Sequence, residues 1–205
     1  MPHNAADGRM SEGRNIALAL SYMTVGYNIL EGLVSLVFAS LGDSPALLGF
    51  GIDSLVESLS GLVMIWRFSS TARDELREQR AIRLVGLSLM VLGGYVAWEA
   101  ARALYHGEPP ERSVAGLMIA GLSLIVMPLL YVLKRRTASR LNSRSLATDA
   151  KQTLACMLLS CALLAGSGLN YTMGWWYADP LAALWIAIFL LREGYEAWSE
   201  EELCC

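Results

Sequence analysis

Two carboxylic acids one helical turn apart, Asp53 and Glu57, stand inside the apolar run from Ala46 to Phe68. An ionised carboxylate at a bilayer centre costs roughly 2.5–3.5 kcal/mol even on lenient insertion scales. Two neighbouring ones also repel each other. Such a pair persists if it faces water, holds a proton or binds a cation; the plainer alternative is that it is protonated or hydrogen-bonded to neighbouring helices. Two other apolar runs carry polar stripes. Thr24, Asn28, Glu31 and Ser35 share one helical face, and so do Asp149, Gln152, Cys156 and Ser160. Glu31 and Asn28 are accessory candidates, with a packing or water-network role standing beside a ligand role. Asp149 and Lys151 lie near the end of their run, where a solvated or helix-capping role is the expectation.

The elements that must position these groups are membrane helices. The chain has 205 residues, 55% of them hydrophobic and only 17% charged, with a mean hydropathy of +0.42. That is more apolar than a soluble domain of this length. A net charge of -3 argues for no nucleic-acid partner. A hydrocarbon core of about 30 Å needs roughly 20 apolar residues in a helix. Six runs meet that length, at approximately Asn15–Leu41, Ala46–Phe68, Ile82–Leu104, Ser113–Leu133, Ser145–Leu169 and Trp176–Trp198. Residues 1–14 and 199–205 are then short tails, the second ending in Cys204 and Cys205. The first tail lacks the apolar core of a cleavable signal peptide, so the first run is expected to be retained. The cysteines suggest no disulfide framework, and the terminal pair reads as reduced thiols.

Basic residues set the expected orientation. The second connection and its flanks hold Arg67, Arg73, Arg77, Arg80 and Arg83; the fourth holds Lys134, Arg135, Arg136, Arg140, Arg144 and Lys151. The first and fifth connections hold none, and the third has Arg102 and Arg112 at its edges. With Arg9, Arg14 and Arg192, this predicts an integral multi-pass protein with both termini cytoplasmic, in a bacterial inner membrane. Trp175, Trp176, Tyr177 and Trp198 fall at predicted interfaces and read as anchors. Gly86, Gly93, Gly94, Gly116 and Gly121 read as close-packing positions.

The helical rise gives depth. Antiparallel packing of the second and fifth runs brings Asp53 level with Cys156 and Glu57 level with Gln152. Two carboxylates, a thiol and an amide then gather about one point. Carboxylate oxygen with thiolate suits Zn²⁺ or a similar borderline-soft divalent ion, whereas Mg²⁺ and Ca²⁺ prefer an all-oxygen shell. Gln152 is a poor Zn²⁺ ligand and is expected to hydrogen-bond a ligand or a bound water. Thiol and carboxyl must lose protons to bind metal, so such a site exchanges protons for metal.

These residues resemble the cation diffusion facilitators. Ala46-Leu47-Leu48-Gly49-Phe50-Gly51-Ile52-Asp53-Ser54-Leu55-Val56-Glu57 is similar to that family's second span, where an acid or histidine precedes an aspartate by four residues. Ser145-Leu146-Ala147-Thr148-Asp149-Ala150-Lys151-Gln152-Thr153-Leu154-Ala155-Cys156 is similar to its fifth span, where alanine-aspartate-alanine leads into His-x-x-x-Asp. Ala178-Asp179-Pro180, opening the sixth, matches a family habit. The resemblance implies an all-α six-helix membrane bundle that is a homodimer and exchanges a divalent metal, Zn²⁺ foremost, for protons by alternating access, in the direction of efflux. It assigns the metal to Asp53, Glu57, Gln152 and Cys156. It implies no tightly bound cofactor beyond the transported metal and protons, and no enzymatic activity. The sequence departs from the pattern in having Gln152 for histidine, Cys156 for aspartate and Glu57 for aspartate. The soluble domain that usually follows the sixth span is expected to be absent. A second reading is therefore a non-transporting metal sensor or partner subunit with a degenerate site. An intramembrane enzyme is the weakest reading, since His3 and His106 both fall outside the runs.

Overall fold

The computed structural model describes the backbone of residues 3–42, 45–70, 75–107 and 114–199, with side chains from residue 11 onward except 42–46. Cys204, Cys205, Arg73 and Arg112, and the first and third connections apart from Gly107, lie outside the described residues or side chains.

Six α-helices make up the described chain: α1 (His3–Gly42), α2 (Pro45–Ser69), α3 (Glu75–His106), α4 (Val114–Leu141), α5 (Arg144–Met173) and α6 (Ala178–Ser199). This is the expected all-α bundle. Lipid offers no hydrogen-bond partner to a peptide group, so each apolar run closes its own backbone bonds as a helix. Among the described residues five helices, α1 to α5, are long and apolar enough to cross a membrane. The sixth, α6, has 22 residues and carries Asp179 in its first turn and Arg192, Glu193 and Glu196 toward its end.

The helices pack in the cyclic order α1, α2, α3, α6, α5, α4 and back to α1, and α2 and α5 also meet across the middle. The first helix turns its apolar side outward. On α1 the outward face is Leu30, Leu33, Val37 and Leu41, while the buried face is Ser21, Thr24, Asn28, Glu31 and Ser35. A soluble amphipathic helix shows the reverse, and this inversion is what lipid as solvent demands. Apolar clusters border the polar middle. Met64, Phe68, Val85 and Leu146 pack toward one end, and Leu89, Leu92, Ile186 and Leu190 seal α3 on α6.

Local chemistry sets the joins. Pro45 opens α2, where its missing N–H costs nothing. Only Asn142 and Ser143 separate α4 from α5, so the predicted Lys134–Arg144 connection is mostly helix. Asn142 takes the left-handed conformation, φ 51°, which asparagine tolerates better than most residues. Ser143 then caps α5, its hydroxyl accepting from the Leu146 N–H at 3.3 Å. The two helices are thereby folded back on each other by a two-residue turn.

Close packing is uneven. A Cβ on Gly194 would stand 2.7 Å from the Gly86 carbonyl oxygen, so α3 and α6 touch backbone to backbone there. Gly93 is similarly close to Leu190 and Leu191, whereas Gly94 and Gly121 face open space and are not packing positions. Trp175 stacks on Tyr177 with ring centroids 6.2 Å apart, and both rings are exposed.

Candidate functional site

The polar stripes of α1, α2 and α5 turn inward with Ser123 and Lys134 of α4, giving the bundle a polar middle. It has two halves. One lies toward the end where α2 finishes and α5 begins, called here the basic end after its arginines. The other lies a turn further toward the opposite end.

In the basic half, Lys134 is wholly buried. Its ammonium stands 2.8 Å from Asp149 Oδ2, donates to Thr153 Oγ1 at 2.9 Å and lies 4.0 Å from Glu57 Oε1. Thr153 in turn donates to Glu57 Oε1 at 2.7 Å. Ser60 donates to Asp149 Oδ1 at 2.6 Å. Asp149, Glu57 and Thr153 have no exposed surface either. A buried charge is tolerable when paired and hydrogen-bonded, and this cluster meets both conditions for Asp149 and Lys134. Glu57 is half-served, because no protein group donates to its Oε2.

Nearer the basic end a second polar join follows. Glu78 Oε1 accepts from the Ser145 N–H at 2.8 Å and from the Ser143 hydroxyl at 2.9 Å, while Arg67 Nε donates to Glu78 Oε2 at 2.5 Å. A carboxylate at the N-terminus of α5 meets free N–H groups and the positive end of the helix dipole. Three helices, α2, α3 and α5, are tied together there.

In the opposite half, Asp53 is 5% exposed, and no protein group donates to its Oδ1. The Cys156 thiol across the α2–α5 interface interacts with the Asp53 carboxylate and lies within electrostatic reach of Glu57 and Glu31. Glu31 is held by three hydroxyls: Ser123 at 2.6 Å and Tyr27 at 3.1 Å to Oε1, and Ser54 at 3.0 Å to Oε2. It is a hydrogen-bonded junction of α1, α2 and α4. Asn28 donates to the Thr24 carbonyl at 3.0 Å within its own helix, leaving its Oδ1 unserved.

The structure therefore sets Asp53 against Cys156, as their depths imply, and sets Glu57 against Thr153 rather than Gln152. One residue turns a helix by about 100°, and Gln152 points instead toward α3, where its Oε1 accepts from Ser88 at 3.0 Å. Among the described residues no three His, Cys, Asp or Glu side chains stand close enough together to hold a metal ion. Two further expectations are overturned. Asp149 is not solvated or capping: Ser143 caps α5, and Asp149 is interior. Lys134 is not a loop charge, because α4 continues to Leu141 and carries it inside the bundle. Lys151 is the half-exposed partner of Glu193 on α6.

Lys134 and Thr153 are the residues that sequence reasoning passed over. The signal for Lys134 was its phase: Ala120, Ser123, Met127, Leu130 and Lys134 recur at three- and four-residue steps, and all are buried. Counting it among neighbouring arginines hid that register.

Fold and polar core together define a helical membrane protein with carboxylates and an ammonium buried in its interior. Residues 80–201 match the cation efflux transmembrane domain, and the chain belongs to that family. The match covers α5 and its Gln152 and Cys156, while Asp53 and Glu57 lie before it. Relatives align over nearly the whole chain. Transmembrane protein 163 of Xenopus laevis is 22% identical, with 94% of this chain and 68% of the relative covered. A cadmium, cobalt and zinc/H(+)-K(+) antiporter of Bacillus velezensis is 27% identical, with 94% and 62% covered. That of Bacillus subtilis is 25% identical, with 95% and 63% covered. The chain thus spans about two thirds of the length of these relatives.

Proposed function

We propose that this chain moves a divalent transition-metal cation, Zn²⁺ foremost, across a membrane in exchange for protons, by alternating access and in the direction of efflux. The observation that carries the reading is Asp53: a buried carboxylate with an unserved oxygen, facing the Cys156 thiol across the α2–α5 interface. Carboxylate and thiolate together suit a borderline-soft ion. No three such groups among the described residues stand within reach of one ion. Glu57, whose Oε2 has no donor, therefore joins Asp53 and Cys156 as the next ligand when the ion draws it in. Gln152, whose Nε2 has no partner, turns from Ser88 to orient a ligand or water. Glu31, Asn28 and Asp149 shape the surroundings. Binding of metal displaces protons from thiol and carboxyl, which supplies the exchange. The antiporter names of the two Bacillus relatives support the cargo and the coupling. A homodimer with cytoplasmic termini in a bacterial plasma membrane completes the proposal; no enzymatic step is part of it.

Flux of Zn²⁺, Co²⁺, Cd²⁺ and Fe²⁺ into proteoliposomes under a pH gradient tests it. Wild type should carry at least one of these ions, with Asp53→Ala at the rate of empty vesicles. If wild type is no faster than Asp53→Ala for every ion, the transporter reading fails. One observation favours the second reading, a non-transporting sensor or partner subunit: the Lys134 ammonium already supplies positive charge beside Glu57. Metal binding without flux would establish that reading.

A further inference from the structure

We propose that Lys134 is a tethered cation that competes with the metal for Glu57, and so sets the affinity of the site. The inference rests on the metal-binding reading above. Among the described residues the polar core holds four buried carboxylates, Glu31, Asp53, Glu57 and Asp149, and one ammonium; three hydroxyls serve both oxygens of Glu31. Lys134 sits asymmetrically among the carboxylates, 2.8 Å from Asp149 Oδ2 and 4.0 Å from Glu57 Oε1. Its tie to Asp149 leaves Asp53 and Glu57 as the two carboxylates with an oxygen that neither a hydrogen-bond donor nor the ammonium serves. Yet Lys134 is not confined to Asp149. Its ammonium donates to Thr153 Oγ1, and that hydroxyl donates in turn to Glu57 Oε1, so one oxygen of Glu57 is engaged through Thr153 on the lysine side. The other oxygen, Oε2, is free. Glu57 is therefore shared between a tethered cation on one side and a mobile one on the other.

A side chain that touches no metal but lowers the charge available to it is a positioning group, and its signature is a change in affinity that needs Glu57. The pair must be removed together, because Lys134→Met alone leaves Asp149 buried without a counter-charge and threatens folding. The double variant Lys134→Met/Asp149→Asn removes both charges at nearly constant volume. Zn²⁺ and Co²⁺ binding to purified protein is measured by titration calorimetry for wild type, Asp149→Asn, Lys134→Met/Asp149→Asn, and the last two each carrying Glu57→Gln. Thermal unfolding checks that each is folded, and Lys134→Gln/Asp149→Asn, which keeps a hydrogen-bond donor for Thr153, serves if the double variant does not fold.

The expected result is that the double variant binds Zn²⁺ about tenfold or more tightly than Asp149→Asn, because these two proteins differ only by a like charge a few ångströms from the ligand. The gain should vanish when Glu57 is glutamine. In flux, the double variant should show a lower KM and a slower maximal rate, since release of the ion has lost its competitor. Tighter binding by the double variant when wild type binds no ion also supports the inference, with Lys134 then silencing the site. If wild type binds Zn²⁺ through Asp53 and the double variant binds no more tightly than Asp149→Asn, the inference is wrong and the metal-binding reading stands. If neither protein binds an ion, both fall.

Discussion

The two halves of the polar middle solve one problem in opposite ways. Toward the basic end, Asp149, Lys134, Thr153 and Ser60 form a closed set in which charge faces charge and each hydroxyl is used. One turn away, Asp53 has a buried oxygen with no donor, and its neighbour across the interface is a thiol, a weak hydrogen-bonding group. The first arrangement holds helices in register; the second leaves electrostatic attraction unspent. A buried polar group that the protein does not satisfy is costly, and under the proposed function the unserved Asp53 oxygen is where the ion would be received. Glu57 spans the two, with one oxygen in each condition.

The contrast predicts that the halves fail differently under mutation. Lys134→Met is the severest change, because it strands Asp149 inside the bundle. A loss of roughly 3–5 kcal/mol is the usual cost of removing one member of a buried pair. It should appear as a large fall in the unfolding temperature in detergent, largely recovered in Lys134→Met/Asp149→Asn. A fall no greater than that of a surface substitution would show that the basic half is not the structural one. Glu78→Ala is next. It removes the acceptor for the Ser145 N–H, the Ser143 hydroxyl and Arg67 at the start of α5. A loss of about 1–3 kcal/mol follows from the unserved donors, with faster hydrogen exchange in the first turn of α5 as the local readout. Asp53→Asn should reverse the pattern. Replacing an unpaired carboxylate by a neutral amide should leave stability unchanged or raise it by about 1 kcal/mol, while metal flux is lost. A protein destabilised by Asp53→Asn would mean that Asp53 is structural after all.

The same division explains what the sequence made legible. Six runs of the right length, separated by turn residues and charge, were enough for the bundle, because hydrocarbon thickness and backbone satisfaction leave little choice. The inward direction of Thr24, Asn28, Glu31 and Ser35 followed from helical period alone, and so did the pairing in depth of Asp53 with Cys156. What stayed hidden needed either a helix end or a rotation about a helix axis. Lys134 was hidden by the assumption that apolar content marks where a helix stops, whereas α4 runs on through Arg135 and Arg136 to Leu141. Thr153 was hidden because Gln152 lies at the same depth, and depth carries no information about which of two neighbours faces α2. Ser143 and Ser145, inconspicuous in a basic stretch, became informative only when Glu78 of α3 was beside them.

The smallest expected effect is also the one that sharpens the contrast most. Cys156→Ser changes a single atom on the fully buried face of α5, and serine is close enough in size for the packing with Leu20, Met127 and Leu130 to survive. Stability should change little. What changes is donor softness: a thiolate prefers Cd²⁺ and Zn²⁺, whereas an alcohol is a hard, weak ligand. The Cd²⁺-to-Co²⁺ flux ratio should therefore fall by about an order of magnitude, which corresponds to one modest difference in metal–ligand bonding. The serine hydroxyl can still meet Asp53, so the carboxylate keeps a polar neighbour and total flux of harder ions should persist. An unchanged ratio would remove Cys156 from the ligand set and leave Asp53 and Glu57 to bind through oxygen alone. In that case the unserved half of the polar middle is still the receiving half, but its choice of ion is made by carboxylate geometry rather than by sulfur.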